Sequence, residues 1–354
     1  MLIRLGLTLC SVVLTYLAFP NIVFTEGLSI LAWGALFPFL AAIDERPLRE
    51  RFFLGCFWGV ATFGLLTRWM LDVNVGGFVL FALALSLGPV MFALMARPPV
   101  AGKVFKLFWI PSAWAVSEWL RTLLMGGFTW SFAYSQAGMP QGIQAAALGG
   151  AYAVAWLMVF VTGALLIAWK SPGARKIFFA TGLAVFLMNA AIGALLPSPP
   201  AEKSLRLALI QPNISRVDKT NLALYDNNIA RHLVQTKRAA MQEGLDLVIW
   251  PETAFPDDVL KDYKWRPRLE TVARNFHSAI LFGSALEKGG HSLNSALLLS
   301  ADGEWRDSYN KVKLVPFTEY QPDDAISLGV AKRMAFKPYD FLAGKSPGIF
   351  SSST

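Results

Sequence analysis

Cysteine is nearly absent: the 354 residues hold two, Cys10 and Cys56, both inside apolar runs. That excludes a disulfide framework and a thiolate metal site. The three histidines, His232, His277 and His291, are scattered, so the expected chemistry uses no metal and no cofactor. Charge is scarce too, at 16% of residues where a soluble globular protein is nearer a quarter. The net charge of +8 raises the class of nucleic-acid binders. However, the basic residues form no stripe with interleaved aromatics; they sit in short loops between apolar runs. No nucleic-acid partner is expected.

Apolar residues make up 55% of the chain, and nearly all of the excess lies before Pro197. After it, polar residues return at ordinary density. This composition break predicts a transmembrane domain over 1–196 and an α/β domain over 205–354. Seven apolar runs precede the break: Leu5–Phe19, Leu28–Ile43, Phe52–Leu71, Val75–Ala96, Leu107–Leu124, Ile143–Trp169 and Ile177–Leu196. Most approach the ~20 residues that cross the hydrocarbon of a bilayer, and the first two are short. No small-x-small cleavage site follows the first run, so it is read as an anchor rather than a signal peptide. Ten Lys and Arg residues fall in the loops on one side, against only Arg68 and Arg121 on the other. That asymmetry predicts a cytoplasmic N-terminus and, after seven crossings, an extracytoplasmic α/β domain.

Two features of the apolar half invite function. Glu118 and Arg121 lie three apart and share a helix face. An ionisable pair at membrane depth is a site hypothesis, although a structural ion pair near the outer interface is the preferred reading. The Gly126-Gly127-Phe128-Thr129-Trp130 segment, followed by Tyr134-Ser135-Gln136, suits a lipid entrance and an interfacial aromatic belt equally well.

In the second half, Leu205–Gln211 and Leu245–Trp250 read as short buried strands. Asn221–Gly244 carries Leu222, Tyr225, Ile229 and Leu233 at helical spacing, and Arg266–Phe276 is a second helix. Ala279–Ser284 and Ser295–Ser300 are further strands, and Asp302-Gly303 opens a hairpin. Strand–helix alternation of this kind predicts a layered α/β domain. Three polar clusters fall where strands end: Trp250-Pro251-Glu252-Thr253, Tyr309-Asn310-Lys311 and Pro316-Phe317-Thr318-Glu319-Tyr320. Each alone reads as a cap or a solvated loop. Two carboxylates and an ammonium delivered by different strand ends make an acid/base constellation.

These clusters resemble the nitrilase superfamily, whose core uses a Glu–Lys–Cys triad. They are most similar to one branch of it, the apolipoprotein N-acyltransferases. Gln211-Pro212-Asn213-Ile214, Trp250-Pro251-Glu252-Thr253-Ala254 and the run from Tyr309 through Leu314-Val315-Pro316-Phe317 to Glu319 carry the resemblance. So do Ala113-Trp114, Glu118-Trp119-Leu120-Arg121, Phe128-Thr129-Trp130 and Tyr134-Ser135-Gln136 in the apolar half. The resemblance implies a polytopic helical membrane domain and a nitrilase-like α-β-β-α sandwich in a bacterial inner membrane. It implies Glu252 as general base, Lys311 as oxyanion stabiliser and Glu319 as supporting carboxylate. The implied partners are a phospholipid acyl donor and a diacylglyceryl-modified apolipoprotein, with the acyl group passing through a cysteine thioester.

The nucleophile is missing. Family members carry a Cys-Tyr-Glu strand after the second glutamate, and this sequence runs to Ser351-Ser352-Ser353-Thr354 without one. Cys10 and Cys56 belong to the apolar runs, and Lys219-Thr220 stands where relatives often have Lys-Trp. The expectation is a truncated, inactive acyltransferase whose α/β domain is incomplete. The alternatives are a degenerate lipid- or lipoprotein-binding membrane protein and, weakest because no internal repeat appears, a transporter built on Glu118 and Arg121.

Overall fold

The computed structural model describes residues 1–127, 130–195, 204–241, 244–323, 329 and 340–350. Phe128 and Thr129 of the Gly-rich segment, the boundary at Leu196 and the terminal serines lie outside the described residues. The chain divides into two compact units, Met1–Pro199 and Pro200–Thr354.

The first unit is helical: α1 (Leu2–Ala18), α2 (Ala32–Ala35), α3 (Phe37–Ile43), α4 (Leu48–Leu66), α5 (Val75–Met95), α6 (Lys103–Leu124), α7 (Ala146–Lys170) and α8 (Arg175–Leu195). Each apolar run is helical over most of its described length, and the second is broken into α2 and α3 at Leu36. Gly149 and Gly150 leave helical geometry near the start of α7 and kink it. Three helices, Val75–Met95, Ala146–Lys170 and Pro172–Ile192, are long and apolar enough to cross a membrane. Leu2–Ala18 and Ser29–Ile43 are shorter apolar helices. Aromatic rings fill the centre, with Phe39 stacked on Trp58 at 5.5 Å and Phe92 edge-on to Trp114 at 4.9 Å.

The second unit is a five-stranded sheet in the order β1 (Leu207–Leu209), β2 (Leu247–Ile249), β3 (Ala279–Lys288), β4 (His291–Leu299) and β5 (Trp305–Asn310). The first three strands are parallel and the last two antiparallel. Its helices are the short α9 (Arg216–Thr220), α10 (Tyr225–Ala240) between β1 and β2, and α11 (Trp265–Phe276) between β2 and β3. Ile229 of α10 and Leu269 of α11 pack on Val248, Ile280, Phe282, Leu297 and Leu299, which the strand register places on one face. Leu207 and Leu209 point the other way and are 49% and 72% exposed. The expectation of a buried first strand therefore fails: β1 is an edge strand, and only the side bearing Ile210 meets the core. Strands β3 and β4 are longer than their apolar runs because a two-residue turn joins them. Gly289 and Gly290 occupy it at φ +61° and +82°, the geometry such hairpin turns require.

Candidate active site

Glu252 stands on a bulge where β2 leaves the sheet. Trp250 still donates its N–H to Leu281 O of β3 at 2.9 Å, and Phe255 rejoins the strand by donating to Gly283 O at 3.0 Å. Residues 251–254 arch outward between those contacts. Thr253 sits at φ +53°, a strained setting for a β-branched residue. Gly283 lets the arch pass close: a Cβ there would lie 2.3 Å from Thr253 N and 2.9 Å from Glu252 Cα. From behind, the Lys219 ammonium donates to Glu252 O at 2.9 Å.

Lys311 directly follows β5, and its N–H donates to Asn294 O of β4 at 2.8 Å, one rung beyond the strand. Glu319 belongs to a tight turn in which its own N–H donates to Val315 O at 2.9 Å. These elements bring the three sequence-predicted residues together. Lys311 Nζ lies 3.1 Å from Glu252 Oε1 and 2.9 Å from Glu319 Oε1.

One member was not foreseen. Asn294 Nδ2 donates to the same two oxygens, at 2.7 Å to Glu252 Oε1 and 2.8 Å to Glu319 Oε1. A lone Asn in a strand gives no sequence signal, though its depletion from strands makes a buried one a residue to examine.

The two carboxylates are not equivalent. Glu319 is buried, and its second oxygen accepts from Val315 N at 2.7 Å, so both of its oxygens are occupied. Glu252 is 61% exposed at its side chain, and its Oε2 has no donor among the described residues. Partial burial opposes the charge of Glu252. The hydrogen bonds from Asn294 and Lys311 outweigh it and hold the carboxyl below the ordinary glutamate range. Burial likewise opposes the charge of Lys311, but its bonds to Glu319 and Glu252 win and raise it above the ordinary lysine value. Two of the three ammonium hydrogens are engaged. Chemically, the cluster offers one free carboxylate oxygen that can take a proton and one spare N–H that can stabilise an anionic oxygen.

Among the described residues no group of three or more His, Cys, Asp or Glu could hold a metal ion. Cys10 and Cys56 lie in α1 and α4 of the helical unit, and the unit that carries Glu252 holds no cysteine. Glu118 and Arg121 interact through their charges but make no direct salt-bridge contact, and each bonds the segment after α6. Glu118 accepts from Trp114 Nε1 at 3.0 Å, Ser131 Oγ at 2.9 Å and Phe132 N at 2.8 Å. Arg121 donates to Trp130 O and lies over the Phe63 ring at 5.8 Å.

Residues 11–164 match the apolipoprotein N-acyltransferase N-terminal domain, and residues 206–347 match the carbon-nitrogen hydrolase domain. The apolipoprotein N-acyltransferase of Geobacter metallireducens is 30% identical over 88% of this chain and 64% of its own length. That of Caulobacter vibrioides is 28% identical over 90% of this chain and 65% of its own. The chain thus spans just under two thirds of these relatives. An amidase of known structure from Nesterenkonia sp. aligns at 24% identity over 42% of this chain and 51% of that one, with a TM-score of 0.27. Both domains are thus matched in order, and relatives of one name, apolipoprotein N-acyltransferase, align across both.

Proposed function

We propose that the chain serves the N-acylation of the diacylglyceryl-cysteine of apolipoproteins, with a phospholipid as acyl donor. Glu252, Lys311 and Glu319 are the acid/base part of that site. The observation that carries the reading is the asymmetry of the two carboxylates on one ammonium: Glu252 keeps an oxygen open and Glu319 does not. In this scheme Glu252 takes the proton of a thiol, and the thiolate attacks the ester carbonyl carbon of the phospholipid. A C–S bond forms, Lys311 stabilises the oxyanion, and the C–O bond breaks as Glu252 returns the proton to the departing lysophospholipid. The free α-amine of the lipoprotein then attacks the thioester. A C–N bond forms, the C–S bond breaks, and the amine proton passes through Glu252 to the thiolate. Glu319 holds Lys311 in place throughout.

Residues 200–354 hold no cysteine, so the test below supplies a thiol. A second reading is a membrane protein that binds lipid or lipoprotein without turnover. The full chain in nanodiscs of acyl-labelled phospholipid, supplied with a small thiol such as N-acetylcysteamine, separates the two. We expect no hydroxylamine-sensitive adduct on the chain itself, and acyl transfer to the small thiol that falls about a hundredfold in Glu252→Gln and Lys311→Met. Equal rates in the wild type and Glu252→Gln would remove the catalytic reading. A stoichiometric adduct on the chain would reveal another nucleophile.

The seven apolar runs and the loop charges favour an N-terminus in the cytoplasm and an extracytoplasmic α/β unit, which in a bacterial inner membrane is periplasmic. A reporter active only in the cytoplasm, fused near Asp218, should stay silent. A bright signal would change the helix count by one.

A further inference from the structure

Behind the Glu252 arch lies a cavity of about 170 Å³. It is walled by Gln211 and Asn213 from the end of β1, Lys219 of α9, Tyr225 and His232 of α10, and Thr253 of the arch. Its charge pattern is one-sided. Among the described residues no Asp or Glu side chain lines it, and Lys219 is the one cationic wall residue. Burial pushes the His232 imidazole below its ordinary value, only partly offset by the bond its Nδ1–H donates to Asn228 O at 2.8 Å, so it is neutral near pH 7. The Tyr225 phenol, driven up by burial and by the 3.0 Å bond it donates to Asp262, is neutral as well.

Lys219 is half-buried and has no ion-pair partner among the described residues. Its ammonium makes one hydrogen bond, to the Glu252 carbonyl, which leaves two N–H donors for the cavity. Burial lowers its pKa, and the nearby charge of Glu252 only partly compensates. An under-compensated cation on the wall of a cavity without carboxylates calls for an anion. Gln211 and Asn213, whose side chains carry neutral amide donors, also line the cavity. A tetrahedral oxyanion, whose oxygens can meet donors from several sides, fits this arrangement better than a planar carboxylate.

We propose that this cavity is a binding site for a phosphate group, anchored by the Lys219 ammonium. Its use as the seat of the donor phospholipid's phosphodiester, beside the acid/base cluster, rests on the function proposed above. A free phosphate ion is the other source of the same chemistry.

The test is a ³¹P NMR titration of the full chain in neutral detergent, with glycerophosphoethanolamine in one arm and inorganic phosphate in the other. We expect saturable binding of the phosphodiester, weakened about tenfold or more in Lys219→Ala. Lys219→Arg should restore it, and the exposed-site control Lys313→Ala should leave it unchanged. Saturable binding of inorganic phosphate with the same dependence on Lys219 supports the site and identifies free phosphate as its ligand. Should Lys219→Ala fail to fold, ligand protection of Lys219 from acetylation in the wild type, read by mass spectrometry, replaces it. Absence of saturable binding in both arms, equal affinity in Lys219→Ala, or no protection of Lys219 overturns the proposal. Because no readout involves acyl transfer, loss of the catalytic reading would leave this result standing.

Discussion

Asn294 Nδ2 and Lys311 Nζ each reach the same pair of carboxylate oxygens, Glu252 Oε1 and Glu319 Oε1. An amide nitrogen has two hydrogens and no charge, so Asn294 satisfies both carboxylates without adding a second cation. An Asp in its place would crowd three carboxylates around one ammonium. The position of Glu252 depends in turn on a residue with no side chain. A methyl group at Gly283 would collide with backbone atoms of the arch, which cannot rotate away as a side-chain tip can. Gly283→Ala should therefore lower stability by about 1–3 kcal/mol and displace Glu252. Thermal unfolding and the small-thiol assay would read the two effects. An unchanged melting temperature together with unchanged transfer would mean that the arch is not held against β3.

At the scale of elements, a buried carboxylate fastens a connection. Glu118 satisfies the Trp114 indole, the Ser131 hydroxyl and the Phe132 amide at once, tying the segment after α6 back to the helix. Glu118→Ala leaves all three donors unpaired, and we expect a loss on the order of 3 kcal/mol, with faster hydrogen exchange at Ser131 and Phe132. Exchange unaltered by the substitution would show that the segment is held by its aromatic contacts instead. The sequence makes this pair conspicuous, because charge in an apolar run stands out, but spacing alone cannot say whether the charges meet each other or the backbone. Helix α10 is legible because Tyr225, Ile229 and Leu233 recur at helical spacing and face the core. The hairpin of β3 and β4 is under-read because its outer halves lack an apolar run, although Gly289-Gly290 marks the turn between them. Strand β1 is misjudged because a leucine-rich segment does not reveal which face of the sheet is covered.

Across the whole molecule, two units of opposite composition share one chain, and the candidate chemistry is confined to the second. Glu252 and Lys311 are legible because each follows a strand end, and Glu319 because it lies in a polar cluster close behind Lys311; their convergence is not, since β3 and β4 stand between β2 and β5 in the sheet. Asn294 and Lys219 are not, since their roles exist only once β4 and the arch are in place. The charges of the cluster also link it to stability. Glu252 has a folded pKa below its unfolded value, so its contribution is present above ~4.3 and is lost as pH falls through the folded pKa. Lys311 has the opposite sign: its contribution is present below ~10.4 and is lost as pH rises through the folded value.

In the proposed function Glu252 is a proton acceptor, kept ionised by Lys311 and Asn294. Its direct test is a carbon-13 titration of the full chain labelled at glutamate carboxyls, with Glu252→Gln assigning the resonance. We expect a midpoint below the ordinary ~4.3 that moves upward in Lys311→Met. A midpoint at or above that value, or one indifferent to Lys311, would contradict it.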